Sequence, residues 1–309
     1  MARHILSISD LGPETLARLV NRALEISSAP LDRWQSLKGR LVGIYFRGSS
    51  TRTRTAFTCG AIRLGGTPIA YGPNDLQLAT GESSRDTART LAEFLDVLVI
   101  RTNESIEEMR EMTIQNRMSI VNAMSDNEHP TQAVTDLVTL MEEFGRLQDI
   151  HVLYVGEGNN TASALALAAS MTPGMCLTLV TPEGYGLPLA FMEDATRLGR
   201  EHGSLIEQHH RIDKLPRNVD AVYATRWQTM GAPKADPTWR SAFEPFRITQ
   251  AMMAEVSRPS GTIFLHDLPA VRGGDVDDEV LEGAQNRAFR QARHKLTGAM
   301  AILEWCVNP

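Results

Sequence analysis

Short apolar runs of strand length alternate with longer amphipathic segments along almost the whole chain. Residues 41–46 (LVGIYF), 67–71, 97–100, 120–123, 150–155 (IHVLYV), 177–180, 220–224 and 262–265 read as strands. Between them, residues 13–28 read as a helix, since a proline suits its first turn and Leu16, Leu19, Ala23 and Ile26 share one face. Further helices are expected over 51–64, stopped by Gly65-Gly66, over 84–95 and 131–144, after Asn160, and over 285–305. Near-continuous apolar strands separated by helices are buried on both faces, the pattern of parallel sheets covered by helices. Asp149 breaks the alternation, leaving two such series divided near residue 147. At roughly 150 residues per domain, 309 residues fit that division. The expected fold class is therefore α/β, with two domains, each a parallel sheet flanked by helices. No fixed-period repeat, low-complexity tract or flexible linker interrupts it.

Charge narrows the partners. The 31 Lys and Arg stand against 37 Asp and Glu, a net charge of −6, which argues against a broad surface for nucleic acid or an anionic membrane. A few arginines still suffice to build a local site for a small anion. Cys59, Cys176 and Cys306 are widely spaced, without CxxC or CxxH, so a disulfide scaffold is excluded and structural zinc gains no support. The N-terminal MARHILSISDLGPETL has no long apolar core and no cleavage-like site, and no stretch approaches the roughly 20 apolar residues of a membrane span. A cytoplasmic protein is expected.

The strongest chemical feature is FRGSSTRTR, residues 46–54, between a predicted strand and a predicted helix. A helix N-terminus offers unpaired N–H groups and partial positive charge to an oxyanion. Ser50, Thr51 and Thr53 add hydroxyl donors, and Arg52 supplies a planar two-pronged cation. The plainer alternative is a capped helix with solvated arginines. Arg101 follows the run VLVI, His129-Pro130-Thr131-Gln132 precedes a long helix, and His266-Asp267-Leu268-Pro269 follows TIFL. Each alone fits a surface pair, a turn residue or a loop histidine. Together they put polar groups at the same edge of both sheets, as an active site in a cleft between domains requires. VGEGNN, residues 155–160, imitates the start of a dinucleotide fingerprint, but Thr161 stands where the third glycine belongs and no acid ends the next strand.

At these residues the chain resembles the aspartate/ornithine carbamoyltransferase family, the ornithine branch in layout. The matching pieces are STRTR at 50–54, PNDLQLATGES and DTAR within 73–89, IRT at 100–102, HPTQ at 129–132, VGEGNN at 155–160, TMG at 229–231 and HDLP at 266–269. The resemblance implies a carbamoyl-phosphate domain over 1–146, joined by the last helix at about 285–309, and an amine-acceptor domain over 147–284. It implies a homotrimer or a multiple of it, and neither metal nor organic cofactor. Ser50, Thr51, Arg52 and Thr53 would hold phosphate, Gln77 would reach in from a neighbouring subunit, and Arg101, His129 and Gln132 would hold the carbamoyl end, with Lys295 also in the carbamoyl-phosphate set. Arg52, Thr53, Arg101 and His129 are the catalytic candidates.

The acceptor half departs from the ornithine pattern. Thr225 stands where that branch has an aspartate, Asp267 stands where it has a cysteine, and Lys295 stands where an arginine is usual. Thr225-Arg226-Trp227-Gln228 instead matches the TRxQ of the aspartate branch. Asn160, Thr225, Arg226, Gln228, Thr229, Met230, Asp267 and Leu268 are the acceptor candidates. An unpaired buried Asp267 is costly, so it is expected to meet an acceptor ammonium or a protein cation such as Arg272 or Lys295. Arg226 either binds a carboxylate or pairs with solvent or Asp220. The expected activity is carbamoyl transfer from carbamoyl phosphate to an amino acid or related diamine, giving a ureido product and phosphate. Ornithine, a short diamino acid such as 2,3-diaminopropionate and aspartate compete as acceptor, and a non-catalytic phosphate-binding or assembly paralogue is the rival of another class.

Overall fold

All nine strands among the described residues run parallel within two separate sheets. The computed structural model describes residues 2–31, 33–228 and 234–308. It divides into one unit of residues 1–138 and 293–309 and another of residues 139–292. The first contains β1 (Leu41–Phe46), β2 (Thr67–Tyr71), β3 (Val97–Arg101) and β4 (Ser119–Asn122), in the order β2-β1-β3-β4. Its helices are α1 (Gly12–Ser28), α2 (Arg52–Arg63), α3 (Ser84–Leu91), α4 (Glu107–Met112) and the start of α5 (Pro130–Phe144). Leu16, Leu19, Ala23 and Ile26 of α1 are all buried, as their spacing predicts. Tyr45, Leu98, Ile100, Met109 and Ile120 form part of the core of this unit.

The second unit contains β5 (His151–Val155), β6 (Cys176–Val180), β7 (Leu205–His209), β8 (Ala221–Ala224) and β9 (Ile263–His266), in the order β7-β6-β5-β8-β9. With them are α6 (Asn160–Ser170), α7 (Leu189–His202), α8 (Trp239–Phe243), α9 (Gln250–Val256) and α10 (Asp278–Leu281). The chain enters this unit within α5 and leaves it within α11 (Ala288–Val307). Val155, Val180, Val222, Phe264 and Met253 lie in its core. The sequence does not announce β7, because LIEQH is an edge strand with Leu205 half exposed and no apolar run. No helix among the described residues is long and apolar enough to cross a membrane.

Strand order fixes where ligands fit. In the first sheet the chain moves to one side from β1 to β2 and to the other from β3 to β4. Right-handed crossovers then put the following helices on opposite faces, opening a crevice at the carboxyl ends of β1 and β3. In the second sheet the same reversal falls between β5 and β8. The β5–α6 turn at this point is tightly packed. A Cβ on Gly158 would stand 2.5 Å from the Gly186 carbonyl carbon and closer still to the Leu187 nitrogen. The chain's own backbone therefore occupies the space a diphosphate would need, which counts against dinucleotide binding.

Gly158→Ala should thus force two backbone segments apart and lower the urea unfolding free energy by about 1–3 kcal/mol. Gly48→Ala, where an added Cβ would stand 4.0 Å from the Asn103 amide nitrogen, serves as the control and should change little. Equal midpoints for the two variants would contradict the packing account.

Candidate functional site

In the first unit, α2 begins six residues after β1 ends, with its N-terminus at the crevice edge. Thr51 occupies its cap position without a side-chain capping bond, and Ser50 Oγ accepts from the Arg54 N–H at 3.4 Å. Two arginines of the motif serve the fold. Arg47 donates to Glu108 Oε1 at 2.5 Å and to the Tyr45 hydroxyl at 2.9 Å. Arg54 donates to the Phe46 carbonyl at 3.3 Å and lies over the Phe46 ring. Arg52 and the buried Thr53 open the helix. Arg101 ends β3 in register with Phe46, and its carbonyl accepts from the Arg47 N–H at 3.0 Å. Its side chain is only 5% exposed, an expensive position for a guanidinium unless anionic or polar groups surround it.

His129 is buried just ahead of α5, its Nδ1 3.3 Å from Thr131 Oγ1. Burial, reinforced by the positive charges of Lys295 and Arg101, holds its imidazole well below the ordinary 6.5. It is therefore neutral at pH 7. Gln132 lies in the first turn of α5, donating to Asp136 Oδ1 at 2.7 Å and accepting from Lys295 Nζ. The first unit thus brings Arg101, His129, Gln132 and Lys295 into one neighbourhood. Gln77 is exposed on the turn Gln77–Thr80, where its amide oxygen accepts from the Thr80 hydroxyl at 2.6 Å.

In the second unit, the reversal between β5 and β8 is spanned by side chains. Asn159 caps α6, accepting from the Thr161 and Ala162 N–H groups at 3.0 and 3.2 Å. Its Nδ2 donates to Thr225 Oγ1 at 3.2 Å. Thr225 donates onward to the Asp267 carboxylate, 3.2 Å from Oδ1 and 3.3 Å from Oδ2, and Thr161 donates to Oδ2 at 3.0 Å. Asp267, one residue past the end of β9, thus brings a carboxylate beside position 225. Asn160 is buried in the first turn of α6.

Arg272 does not neutralise Asp267; it pairs with Asp278 and Glu282 at 2.7 and 2.5 Å. Nor does Arg226 pair with Asp220, which meets Arg258 at 2.5 Å and accepts from the His151 N–H at 2.8 Å. Arg226 and Gln228 instead line a small recess with Trp227, Trp239 and Asp275. Thr229 and Met230 lie outside the described residues. Leu268 takes a left-handed backbone conformation (φ 56°) and donates its N–H to His266 Nδ1 at 2.8 Å. Burial opposes charge on His266, but hydrogen bonds to Asp267 and Asp275 outweigh it and raise the imidazole to about 9. Its Nε2 lies 3.2 Å from Asp275 Oδ2 and its Nδ1 3.4 Å from Asp267 Oδ1.

Sequence reasoning passed over Asn159, Thr161, Asp136 and Glu128. Asn159 carries a cap signal immediately before an apolar helix, but the Asn-Asn doublet left Asn160 equally eligible. Asp136 stands four residues beyond Gln132 on a helix, the spacing at which side chains meet. Thr161 and Glu128 carry no local signal; their partners come from distant segments.

Residues 3–142 match a family model described as aspartate/ornithine carbamoyltransferase, carbamoyl-P binding domain. Residues 148–306 match its companion, the Asp/Orn binding domain. An ornithine carbamoyltransferase from Caldicellulosiruptor saccharolyticus is 34% identical over 303 residues, 97% of each chain. The crystal structure of ornithine carbamoyltransferase from Gloeobacter violaceus aligns with a TM-score of 0.86 at 32% identity, covering 99% of this chain and 98% of that one. The ornithine carbamoyltransferase from Pyrococcus furiosus aligns with a TM-score of 0.89 at 28% identity, over 98% of this chain and 96% of that one.

Glu128, the neighbour of His129, is 8% exposed and accepts from the Ile8 N–H at 2.7 Å. Burial pushes its carboxyl up from 4.5 to about 7, despite hydrogen bonds from Ile8 and Ser7. Between those values the folded chain holds a proton that the unfolded chain has released, so stability falls as pH rises through this window. At 1.36 kcal/mol per pH unit the loss approaches about 3 kcal/mol. Glu128→Gln should therefore match the wild type near pH 4 and exceed it at pH 8 in urea unfolding. A stability difference independent of pH would contradict the burial of this carboxyl.

Proposed function

The chain belongs to the aspartate/ornithine carbamoyltransferase family and is a carbamoyltransferase, and on that premise we propose that it carbamoylates ornithine, releasing phosphate. One observation carries the acceptor side: an Asp267 carboxylate held within hydrogen-bond distance of Thr225. The acid of the ornithine pattern is displaced by a side chain's length and not lost. A carboxylate stabilises the protonated form of a neighbouring amine. It therefore suits the ammonium that stays charged, not the amine that must attack. Arg226, which has no protein carboxylate partner among the described residues, is the candidate for the acceptor's carboxylate. Asn160, Gln228, Thr229, Met230 and Leu268 complete the proposed acceptor set.

On the anion side, Ser50, Thr51, Arg52, Thr53 and the α2 N-terminus hold the phosphate. Arg101, Thr53 and His129 face the carbamoyl oxygen, where negative charge builds in the tetrahedral transition state. One well-placed donor there is worth roughly 3 kcal/mol. A neutral His129 suits this role, since its Nε2–H donates when the Thr131 hydroxyl occupies Nδ1. The amine nitrogen bonds to the carbamoyl carbon, the carbon–oxygen bond to phosphate breaks, and the departing phosphate takes the amine's proton. No strong protein base is then needed, and most of the remaining rate comes from alignment of the two substrates. Lys295 keeps the carbamoyl amide partner Gln132 oriented. Exposure of Gln77 suits a contribution to a neighbouring subunit in a trimer. Three unpaired cysteines suit a reducing, cytoplasmic setting.

The test is ureido-product formation from carbamoyl phosphate with ornithine, 2,3-diaminopropionate and aspartate in parallel. Ornithine should give the highest kcat/KM. A preference for either of the others would reject ornithine, and no turnover with any amine despite carbamoyl phosphate binding would favour a non-catalytic paralogue. Arg52→Ala should lower kcat/KM by about 100-fold or more without shifting the unfolding midpoint; retained activity would remove Arg52 from the phosphate site.

A further inference from the structure

Lys234 has no part in the groups assigned above, yet its side chain is only 10% exposed. Its ammonium pairs with the Glu157 carboxylate and lies 4.9, 5.4 and 5.2 Å from the ring centres of Tyr185, Trp239 and Phe243. The rings pack edge to face, Tyr185 with Phe243 at 4.8 Å and Trp239 with Phe243 at 5.5 Å. A largely desolvated ammonium that meets several aromatic rings and one carboxylate is held far more firmly than a surface lysine. Removing either charge takes a close charge partner from the other.

Glu157 lies in the β5–α6 turn, two residues before Asn159. The Tyr154 hydroxyl donates to the Glu157 carbonyl at 2.8 Å and reaches Asn159 Oδ1 at 3.3 Å. The Gly158 N–H donates to the Tyr185 carbonyl at 2.7 Å. The aromatic box is thus tied to this turn twice, through the Glu157 side chain and through the backbone of Tyr185. Asn159, at the end of the turn, bonds Thr225, which bonds Asp267.

We propose that Lys234 is a positioning residue for the acceptor site. Its ion pair with Glu157, enclosed by the three rings, fixes the β5–α6 turn and through Asn159 sets the Thr225–Asp267 pair at the spacing an acceptor ammonium requires. This rests on the reading that Asp267 holds that ammonium. The effect is confined to the acceptor, because the proposed carbamoyl phosphate groups belong to the other unit.

The experiment compares K234M, K234R and D267N in the full-length chain by steady-state kinetics with ornithine and carbamoyl phosphate. K234M should raise the KM for ornithine about 10-fold while the KM for carbamoyl phosphate stays within about 2-fold. K234R, which keeps the charge and the ring contacts, should return the ornithine KM to within about 3-fold of wild type. Tryptophan emission from Trp227 and Trp239 should shift in K234M and recover in K234R. An unchanged ornithine KM in K234M beside a raised one in D267N overturns the positioning role. So does equal weakening of both substrates, or failure of arginine to rescue. If D267N itself leaves the ornithine KM unchanged, the acceptor reading fails and the role built on it falls too. Should K234M not fold, E157Q, which removes the opposite charge, carries the same prediction.

Discussion

A parallel sheet whose strand order reverses must leave a crevice where the crossovers part, and the chemistry of this chain gathers at two such reversals. Between β1 and β3 the reversal puts the α2 N-terminus beside Arg101, which is in register with the last residue of β1. Between β5 and β8 it puts the cap of α6 beside Thr225, close enough for Asn159 to bridge the two strand ends. In each case a helix N-terminus and the end of a neighbouring strand lie at the reversal, and in the second Asn159 bonds the strand-end Thr225. The same geometry suits the anion site proposed at Arg52 and Arg101 and the ammonium site proposed at Asp267.

The two sites manage charge differently. On the side proposed for the anion, burial, reinforced by the charges of Lys295 and Arg101, keeps His129 neutral. Lys295 donates to Gln132, whose amide is further held by Asp136, so its charge orients an amide. On the acceptor side, Asp267 accepts from the Thr161 and Thr225 hydroxyls and lies 3.4 Å from His266 Nδ1, while Arg272 is engaged by two other carboxylates. The net charge of −6 gives no hint of either arrangement.

Much of the fold was legible in the sequence because both sheets are parallel and interior. Strands such as LVGIYF and IHVLYV are near-continuous apolar runs; β1 spans the first, and β5 begins one residue inside the second. The edge strand β7 was not legible, since its polar, partly exposed residues carry no such run. The helix expected over 84–95 ends at Leu91 because residues 92–95 leave the helical path as the chain approaches β3. Arg101 and His129 could be anticipated from their place after or before an element. The pairing of Thr225 with Asp267 could not, because it joins residues 42 positions apart through side chains. In space positions 225 and 267 are hydrogen-bonded neighbours, and the proposed relocation of a single charge rests on that contact.

That relocation is best examined by the crystal structure of the protein bound to an analogue that joins a phosphonate to ornithine. The charged, non-reacting ammonium should lie about 3 Å from an Asp267 carboxylate oxygen, with Thr225 still donating to the same carboxylate. An ammonium bound to another acid, with Asp267 engaged only by Thr225 and Thr161, would contradict it.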